Sequence, residues 1–348
     1  MMLLLFRNCT GRCFEMEEGP WRITFDTNPD SCNIHCIMCE EHSEYRKEKK
    51  TSNRVMKPDI ISEVVANAAP HGLKEIIPST MGEPLLYRHF DKLLELANEH
   101  GLKINLTTNG TFPGRGDEQW GNQILPLASD IKVSINGSSN TINESIMKGI
   151  DHETTLENIR TLIRIRDELR DKGTNWPTIT FQVTFMKKNI RDLKSLLQLA
   201  IDHRIDRFKG HHLWITWPEL EEESLTGNVH DRIEWNRTVD ELVAIGKDRI
   251  ELANVSKIPI DSVDNLLPEH YECPFAGKEA WIAWDGTFNV CCAPDELRKG
   301  FGYFGNVKDT PFMELWQSDK YQSFIRHAGK DGVCRNCNMR RPVEGSGN

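Results

Sequence analysis

Strand-like and helix-like segments alternate through the first two thirds of the chain. Apolar residues between the strand-like runs recur at helical spacing, as in Leu156, Ile159 and Ile163. Successive strand–helix units favour a parallel sheet with right-handed crossovers, and six units are fewer than the eight of a complete barrel. We therefore predict an α/β fold, a partial (β/α)6 TIM-like barrel with its site at the carboxyl ends of the strands. The predicted strands are 22–25, 73–77, 103–107, 131–135, 178–185 and 207–215.

The pattern changes near residue 255, where prolines, glycines, tryptophans and cysteines replace the regular alternation. A hairpin is predicted around Asp285 and Gly286, and a helical stretch at 311–328. Because this region offers little apolar surface for a core of its own, we expect a metal centre to hold it together. The predicted segments are an N-terminal extension at 1–19, the core at 20–255, a small cysteine-rich α+β domain at 256–342 and a flexible tail at 343–348.

Charge and hydropathy limit the partners of the chain. Its 348 residues carry a formal net charge of −9, which argues against a broad nucleic-acid-binding surface. No apolar run approaches the roughly 20 residues that span a bilayer, so we expect no membrane partner. The apolar segment that begins at Met1 ends at Arg7. No basic residue precedes this segment and no cleavage site follows it, so it does not fit a secretory signal. We therefore expect a cytoplasmic protein.

The chain has ten cysteines, and in a reducing cytosol such clusters bind metals more often than they form disulfides. Cys32, Cys36 and Cys39 form a C-x3-C-x2-C loop directly after the first predicted strand. Zinc normally takes four ligands, whereas three thiolates leave one corner of a [4Fe–4S] cluster open. The loop therefore favours a cluster with an open iron over incidental free cysteines.

A second group of cysteines lies in the C-terminal region. Four thiolates drawn from it fit either a structural zinc or a fully ligated [4Fe–4S] cluster, and spacing alone does not choose between them. Cys292 is the fifth cysteine of this group. Three roles are open for it: the true ligand in place of Cys291, an inert thiol, or a hydrogen-atom donor. Cys9 and Cys13 are interpreted as free thiols, with a redox or cluster role as the alternative. The group consists of Cys273, Cys291, Cys292, Cys334 and Cys337.

Over residues 20–215 the chain resembles the radical S-adenosylmethionine (SAM) enzymes, on its cysteine loop and the motifs that follow in order. Met81 to Pro84 resembles the family's Gly-Gly-Glu-Pro segment. The sequence departs from the family at Met38, where an aromatic residue is usual, and at Met81, which replaces the first glycine. The resemblance implies that SAM is held at its amino group by Gly82, Glu83 and Pro84, at its ribose by Ser134 and Asn136, and at its adenine and methionyl ends by Thr184 and Met186.

The C-terminal region resembles the twitch domain, the shortened form of the SPASM domain. The pattern C-x12-G-x4-C followed by C-x2-C carries this resemblance, which is greatest to the aminocyclitol dehydrogenase type. The resemblance implies an auxiliary [4Fe–4S] cluster on Cys273, Cys291, Cys334 and Cys337. With Cys32, Cys36 and Cys39 on the first cluster, the expected cofactors are two [4Fe–4S] clusters and SAM.

The resemblance implies an enzyme that cleaves SAM reductively to a 5′-deoxyadenosyl radical and abstracts hydrogen from a small-molecule or peptide substrate. We expect oxidation of an alcohol or amine carbon, with the auxiliary cluster as electron acceptor and a flavodoxin or ferredoxin as electron donor. The alternatives are an epimerase in which Cys292 returns hydrogen, a peptide-modifying enzyme, and a zinc-stabilised binding protein without catalysis. His211 and His212, at the end of the sixth predicted strand, are candidate acid–base residues, and strand alternation lets at most one face the cavity.

Overall fold

The computed structural model describes residues 19–47, 53–78, 81–260, 271–330, 332–335, 337 and 339–341. Cys9, Cys13 and the predicted tail at 343–348 lie outside these residues. Within this part of the chain, no helix is long and apolar enough to cross a membrane.

The strands form one large sheet and one small one. All six predicted strands are confirmed; the fourth begins earlier than predicted, at Ala128, and the sixth ends earlier, at His212. Five further strands, β2, β6 and β9 to β11, were not among the six. In chain order the strands are β1 Arg22–Phe25, β2 His35–Cys36, β3 Glu75–Ile77, β4 Lys103–Thr108, β5 Ala128–Ser134, β6 Met147–Lys148, β7 Thr178–Phe185, β8 Arg207–His212, β9 Glu251–Ala253, β10 Glu279–Ile282 and β11 Phe288–Asn289.

Helices connect the parallel strands and pack on one face of the large sheet. In the longest helix, the predicted apolar stripe of Leu156, Ile159 and Ile163 is buried. The helices are α1 Pro58–Ala68, α2 Phe90–Glu99, α3 Gly116–Ile124, α4 Asn140–Ile146, α5 His152–Asp171, α6 Lys187–Ile190, α7 Leu193–Asp202, α8 Val229–Gly246, α9 Asp295–Lys299, α10 Phe312–Gln317, α11 Asp319–His327 and α12 Gly332–Arg335.

The large sheet has the strand order β11-β10-β1-β3-β4-β5-β7-β8-β9. Every pairing in it is parallel except that of β10 with β11. Its edge strands β9 and β11 do not pair with each other, so the sheet stays open, as the prediction of a partial barrel requires.

The inner face of this sheet, opposite the helices, is charged. Arg22 donates from Nε to Glu75 at 2.7 Å and from Nη1 to Glu279 at 3.0 Å. Arg207 lies 3.2 Å from Asp130 and is also paired with a glutamate of β9. Pairing of this kind compensates for part of the cost of removing charges from water. The barrel interior is therefore polar, as a reaction chamber requires.

The C-terminal hairpin joins the main sheet. It is confirmed at Asp285 and Gly286, where Gly286 takes a φ of +88° and a Cβ would lie 2.8 Å from Asn306. β10 pairs in parallel with β1, so the region extends the barrel. The expectation that it lacks an apolar core of its own was incomplete, because its aromatic residues Phe288, Phe312, Trp316 and Tyr321 are buried in one cluster with the main core.

We predict that Gly210→Ala destabilises the protein by about 1–3 kcal/mol, the usual cost of overpacking a core. A Cβ at Gly210 would lie 2.1 Å from Cζ of Phe185, a buried ring that cannot swing into solvent. Urea unfolding measures the change in free energy. Gly227→Ala is the control, because its Cβ would meet nothing closer than Ser224 at 3.8 Å, and equal losses in both variants would contradict the prediction.

Candidate functional site

The first cysteine loop follows β1 and is tied to the chain beyond β5. Strand β2 pairs antiparallel with β6, and the N–H of Ile37 donates to the carbonyl of Ile146 at 2.9 Å. Within the loop, the N–H of Cys39 donates to the carbonyl of Cys36 at 3.0 Å. These bonds place the loop beside the carboxyl ends of the parallel strands, where α/β barrels carry their sites.

The three thiols of this loop lie near one another. Burial raises the pKa of Cys32 to about 11, and the neighbouring charges of Glu83 and Cys39 add to that rise. Burial raises the pKa of Cys36 well above its usual range, with further contributions from Cys39 and Cys32. Adjacent, desolvated thiols need a cationic group to stabilise their thiolates. The donor set therefore fits an iron–sulfur cluster.

A separate apolar cluster lies beneath the loop. Cys32, Cys36 and Met38 pack against it, so the methionine that replaces the family's aromatic residue keeps an apolar contact. Met186, a predicted SAM contact, is fully buried within the cluster. This apolar surface limits access of water to the cysteines. The cluster consists of Ile34, Ile37, Ile146, Met147, Ile150, Met186, Leu213 and Leu220.

Gly82 lets the segment after β3 approach the cysteine loop closely. It takes a φ of +78°, and a Cβ there would lie 2.4 Å from the carbonyl oxygen of Asn28 and 2.7 Å from that of Ser31. The next N–H, that of Glu83, donates to the Ser31 carbonyl at 2.7 Å. Only glycine fits this position without displacing the loop.

Glu83 is 1% exposed, and its carboxylate accepts three protein hydrogen bonds. The donors are the hydroxyl of Thr108 and the N–H of Asn109, both at 2.8 Å, and the N–H of Leu85 at 3.2 Å. Burial raises the pKa of Glu83 to about 7, although these donors favour the charged form. Asn109 also directs its Nδ2 at the sulfur of Cys32, 3.9 Å away. Sequence reasoning missed Asn109, which connects the Gly-Glu-Pro segment to the cysteine loop.

Three asparagines join the ends of β5 and β7. Asn136 accepts a hydrogen bond from the N–H of Thr184 at 2.8 Å, and its own N–H donates to Oδ1 of Asn143 at 2.8 Å. Asn189 donates to the carbonyls of Asn136 and Thr184 and accepts from the N–H of Met186. Asn143 and Asn189 were not predicted, because an asparagine in a short helix has no distinctive spacing. The network brings the predicted SAM residues of the two strands together.

The other predicted SAM residues also lie at strand ends. Ser134 is the last residue of β5, and Pro84 opens the 3-10 turn Pro84–Leu86 that follows β3. Because the strands are parallel, their carboxyl ends share one edge of the sheet. The structure therefore gathers these residues at the same edge as the cysteine loop.

The two strand-end histidines face opposite sides of the sheet. His211 lies on the inner face, with Nδ1 3.3 Å from Nε2 of Gln182, and burial lowers its pKa to about 4. His212 packs edge-on against Trp235 of α8 and Phe185, and burial lowers its pKa to about 3. Both imidazoles are therefore neutral at pH 7. His211 has access to the barrel interior, whereas His212 belongs to the aromatic layer under α8.

The predicted auxiliary ligands converge in the C-terminal region. Burial raises the pKa of Cys291 to about 12, with contributions from Cys337 and Cys273. Burial also raises the pKa of Cys337, with contributions from Cys273 and Cys334, and the N–H of Cys337 donates to the Cys334 carbonyl at 3.1 Å. Among the described residues, no three His, Cys, Asp or Glu side chains are placed to hold a single metal ion. Four thiolates in this region fit the cubane that the family resemblance implies.

Cys292 lies close enough to the other thiols of this region for their charges to act on it. Burial raises its pKa far above the usual range, and the charges of Cys291, Cys337, Cys273 and Glu279 contribute. Glu279 belongs to the inner face of β10 through its bond from Arg22. Its three interpretations, as cluster ligand, inert thiol or hydrogen-atom donor, remain open.

Two family models match the chain. Residues 29–200 match the Radical SAM superfamily, and residues 273–338 match SPASM, an iron–sulfur cluster-binding domain. Together they contain both groups of cysteines described above.

Curated relatives match over most of the chain. One is the tungsten-containing aldehyde ferredoxin oxidoreductase cofactor-modifying protein of Pyrococcus furiosus, 24% identical over 326 residues that cover 89% of this chain and 85% of the relative. Another is the mycofactocin maturase MftC of Mycolicibacterium smegmatis, 22% identical over 352 residues, covering 91% and 74% respectively.

Among solved structures, Streptococcus suis SuiB bound to its precursor peptide SuiA has a TM-score of 0.66 at 15% identity, covering 92% of this chain and 71% of that one. This likeness confirms the predicted fold. The family matches confirm the predicted cofactors, SAM and iron–sulfur clusters, and weigh against the zinc-stabilised binding protein. The chain belongs to the Radical SAM superfamily of enzymes and carries a SPASM-type iron–sulfur domain.

Proposed function

We propose that this enzyme uses radical SAM chemistry to oxidise an alcohol or amine carbon of its substrate. Cys32, Cys36 and Cys39 hold the [4Fe–4S] cluster that binds SAM. When bound there, SAM supplies a 5′-deoxyadenosyl radical that abstracts hydrogen from the substrate. The observation that carries this proposal is the link through Asn109, which contacts both the cysteine loop and the Glu83 carboxylate.

The strand-end residues orient SAM in this proposal. Gly82, Glu83 and Pro84 hold its amino group, because their segment packs directly on the cysteine loop. Ser134 and Asn136 hold the ribose. Thr184 and Met186, which the asparagine network connects to Asn136, hold the adenine and methionyl ends, as the family resemblance implies.

In this proposal Cys273, Cys291, Cys334 and Cys337 would hold the auxiliary cluster, which would supply an acceptor for the second electron of the oxidation. A flavodoxin or ferredoxin would supply electrons to the first cluster. The parallel pairing of β10 with β1 supports this role, because it attaches the auxiliary region directly to the strand that leads into the first cysteine loop. His211, on the inner face beside Gln182, is the candidate base for the proton released.

Peptide modification is the second candidate, and two observations favour it. SuiB was solved with its precursor peptide, and MftC is named a maturase. A cleft of about 630 Å³ also opens between the first cysteine loop, the loop after β8 and α9. Tyr45, Arg46 and Trp217 line it on one side and Asp295 and Lys299 on the other, so an extended peptide could reach between the two cysteine groups.

We predict about eight irons per chain after anaerobic reconstitution, since each cubane holds four. Reduced protein incubated with SAM should form 5′-deoxyadenosine, measured by chromatography. Replacing Cys32, Cys36 and Cys39 together by alanine should leave about four irons and abolish 5′-deoxyadenosine. A colourless protein that binds zinc, or intact clusters without SAM cleavage, would overturn the proposed function.

We predict that Asn189→Asp weakens SAM binding by about tenfold, because it removes the two bonds donated to the ends of β5 and β7. Equilibrium dialysis measures the dissociation constant, and iron content should stay at the wild-type value. Asn98→Asp, on the exposed surface of α2, is the control. Unchanged SAM affinity in Asn189→Asp would contradict the proposal that the asparagine network positions the SAM site.

We predict that Cys291→Ala loses the auxiliary cluster and retains about four irons, whereas Cys292→Ala retains about eight. Iron analysis and electron paramagnetic resonance of the reduced protein measure this. The reverse result would make Cys292 the ligand. If Cys292 instead returns hydrogen, as in the epimerase alternative, turnover in deuterated water would place deuterium at an inverted carbon in the wild type and not in Cys292→Ala.

A further inference from the structure

One cross-strand row on the inner face leads from the proposed SAM site to an ammonium group. Ser134, Gln182 and Lys209 are paired in register across β5, β7 and β8, so their side chains share a face. Neighbouring strands lie about 4.8 Å apart, which places the Lys209 backbone about 10 Å from that of Ser134. A lysine side chain spans much of such a distance. Lys209 therefore faces the space beside the proposed ribose position.

The cations around Lys209 already have partners. Arg22 is bonded to Glu75 and Glu279, and Arg207 is paired with Asp130. The carboxylates that act on Lys209 are Asp130 and Glu279, and the charges of Arg22 and Arg207 oppose their attraction.

The second inner-face lysine, Lys132, donates to Oδ1 of Asn105. Lys209, by contrast, makes no hydrogen bond or ion pair of 4.0 Å or less with any residue that the structure describes, although it is partly buried. Burial lowers its pKa. An ammonium held away from water without an acceptor is costly unless a ligand supplies one.

A second cation approaches the same place from the C-terminal region. Arg341 pairs through its backbone with Glu272, and its Nε donates to Asn254, just after β9, at 3.2 Å. The charges of Lys209 and Arg341 both act on His211, the next inner-face residue of β8. The potential at this end of β8 is therefore positive, although the chain as a whole is acidic.

We propose that Lys209 binds a carboxylate of the substrate, with Arg341 adding favourable charge and Gln182 and His211 lying beside it. The inference rests on the proposed function, since it makes this group part of the molecule held next to SAM. The carboxylate belongs either to a small organic acid or to an acidic side chain of a peptide. Anchoring it at Lys209 fixes which carbon of the substrate faces the SAM ribose.

The test is competitive labelling of lysines in the reconstituted, SAM-bound enzyme. Reductive methylation with formaldehyde, followed by mass spectrometry, reports the reactivity of each amine without any turnover. We expect saturating glutarate, or a blocked Ala-Glu-Ala tripeptide, to lower methylation of Lys209 by about tenfold and to leave exposed Lys308 unchanged. Protection by glutarate indicates a small acid, and protection by the tripeptide alone indicates a peptide. The neutral analogue glutaramide should not protect.

Variants provide an independent measurement. Lys209→Gln should weaken binding of the protecting probe by about tenfold, and Lys209→Arg should restore most of it, while iron content and SAM affinity stay at wild-type values. Equal methylation with every probe, protection by glutaramide, or protection by SAM alone would overturn the proposal. Iron content and 5′-deoxyadenosine formation are measured on the same preparation. If the proposed function is wrong, iron content or 5′-deoxyadenosine formation will be lost. If only the carboxylate site is wrong, both will be normal and the labelling of Lys209 alone will show no protection.

Discussion

The buried carboxylate of Glu83 is the contact on which the arrangement of the site depends. It joins the segment after β3 to the end of β4, through Thr108 and Asn109, and Asn109 continues the connection to Cys32. A buried carboxylate deprived of these donors would be strongly destabilising, so the three segments hold one relative position. The position of the cysteine loop therefore depends on the hydrogen bonds of Glu83 and Asn109 as much as on those within the loop.

In the rest of the barrel, buried polar groups are likewise stabilised by partners. Its outer face is apolar and packs against helices, whereas its inner face pairs charges such as Arg22 with Glu75 and Arg207 with Asp130. A polar interior is expensive to build unless its groups are partnered. The partnering stabilises the polar inner face, and the pairing of β10 with β1 attaches the SPASM-type region to the same sheet.

Much of this was predictable from sequence. The six parallel strands follow from alternating segments, and the hairpin at Asp285 and Gly286 follows from turn chemistry. The asparagines Asn143 and Asn189 were not predictable, because they act through contacts between distant segments. The addition of β10 to the main sheet was also missed, because strand pairing over more than 250 residues leaves no local pattern.

By itself, the sequence determined the chemistry available to this protein: a three-cysteine loop after the first strand, a second cysteine group, and the succession of strands and helices between them. Only the tertiary structure decided which side chains meet. His211 and His212 are neighbours in the chain, yet one faces the chamber and the other packs under α8. The reason is physical: side-chain direction alternates along a strand, but which face becomes the chamber depends on where the helices pack.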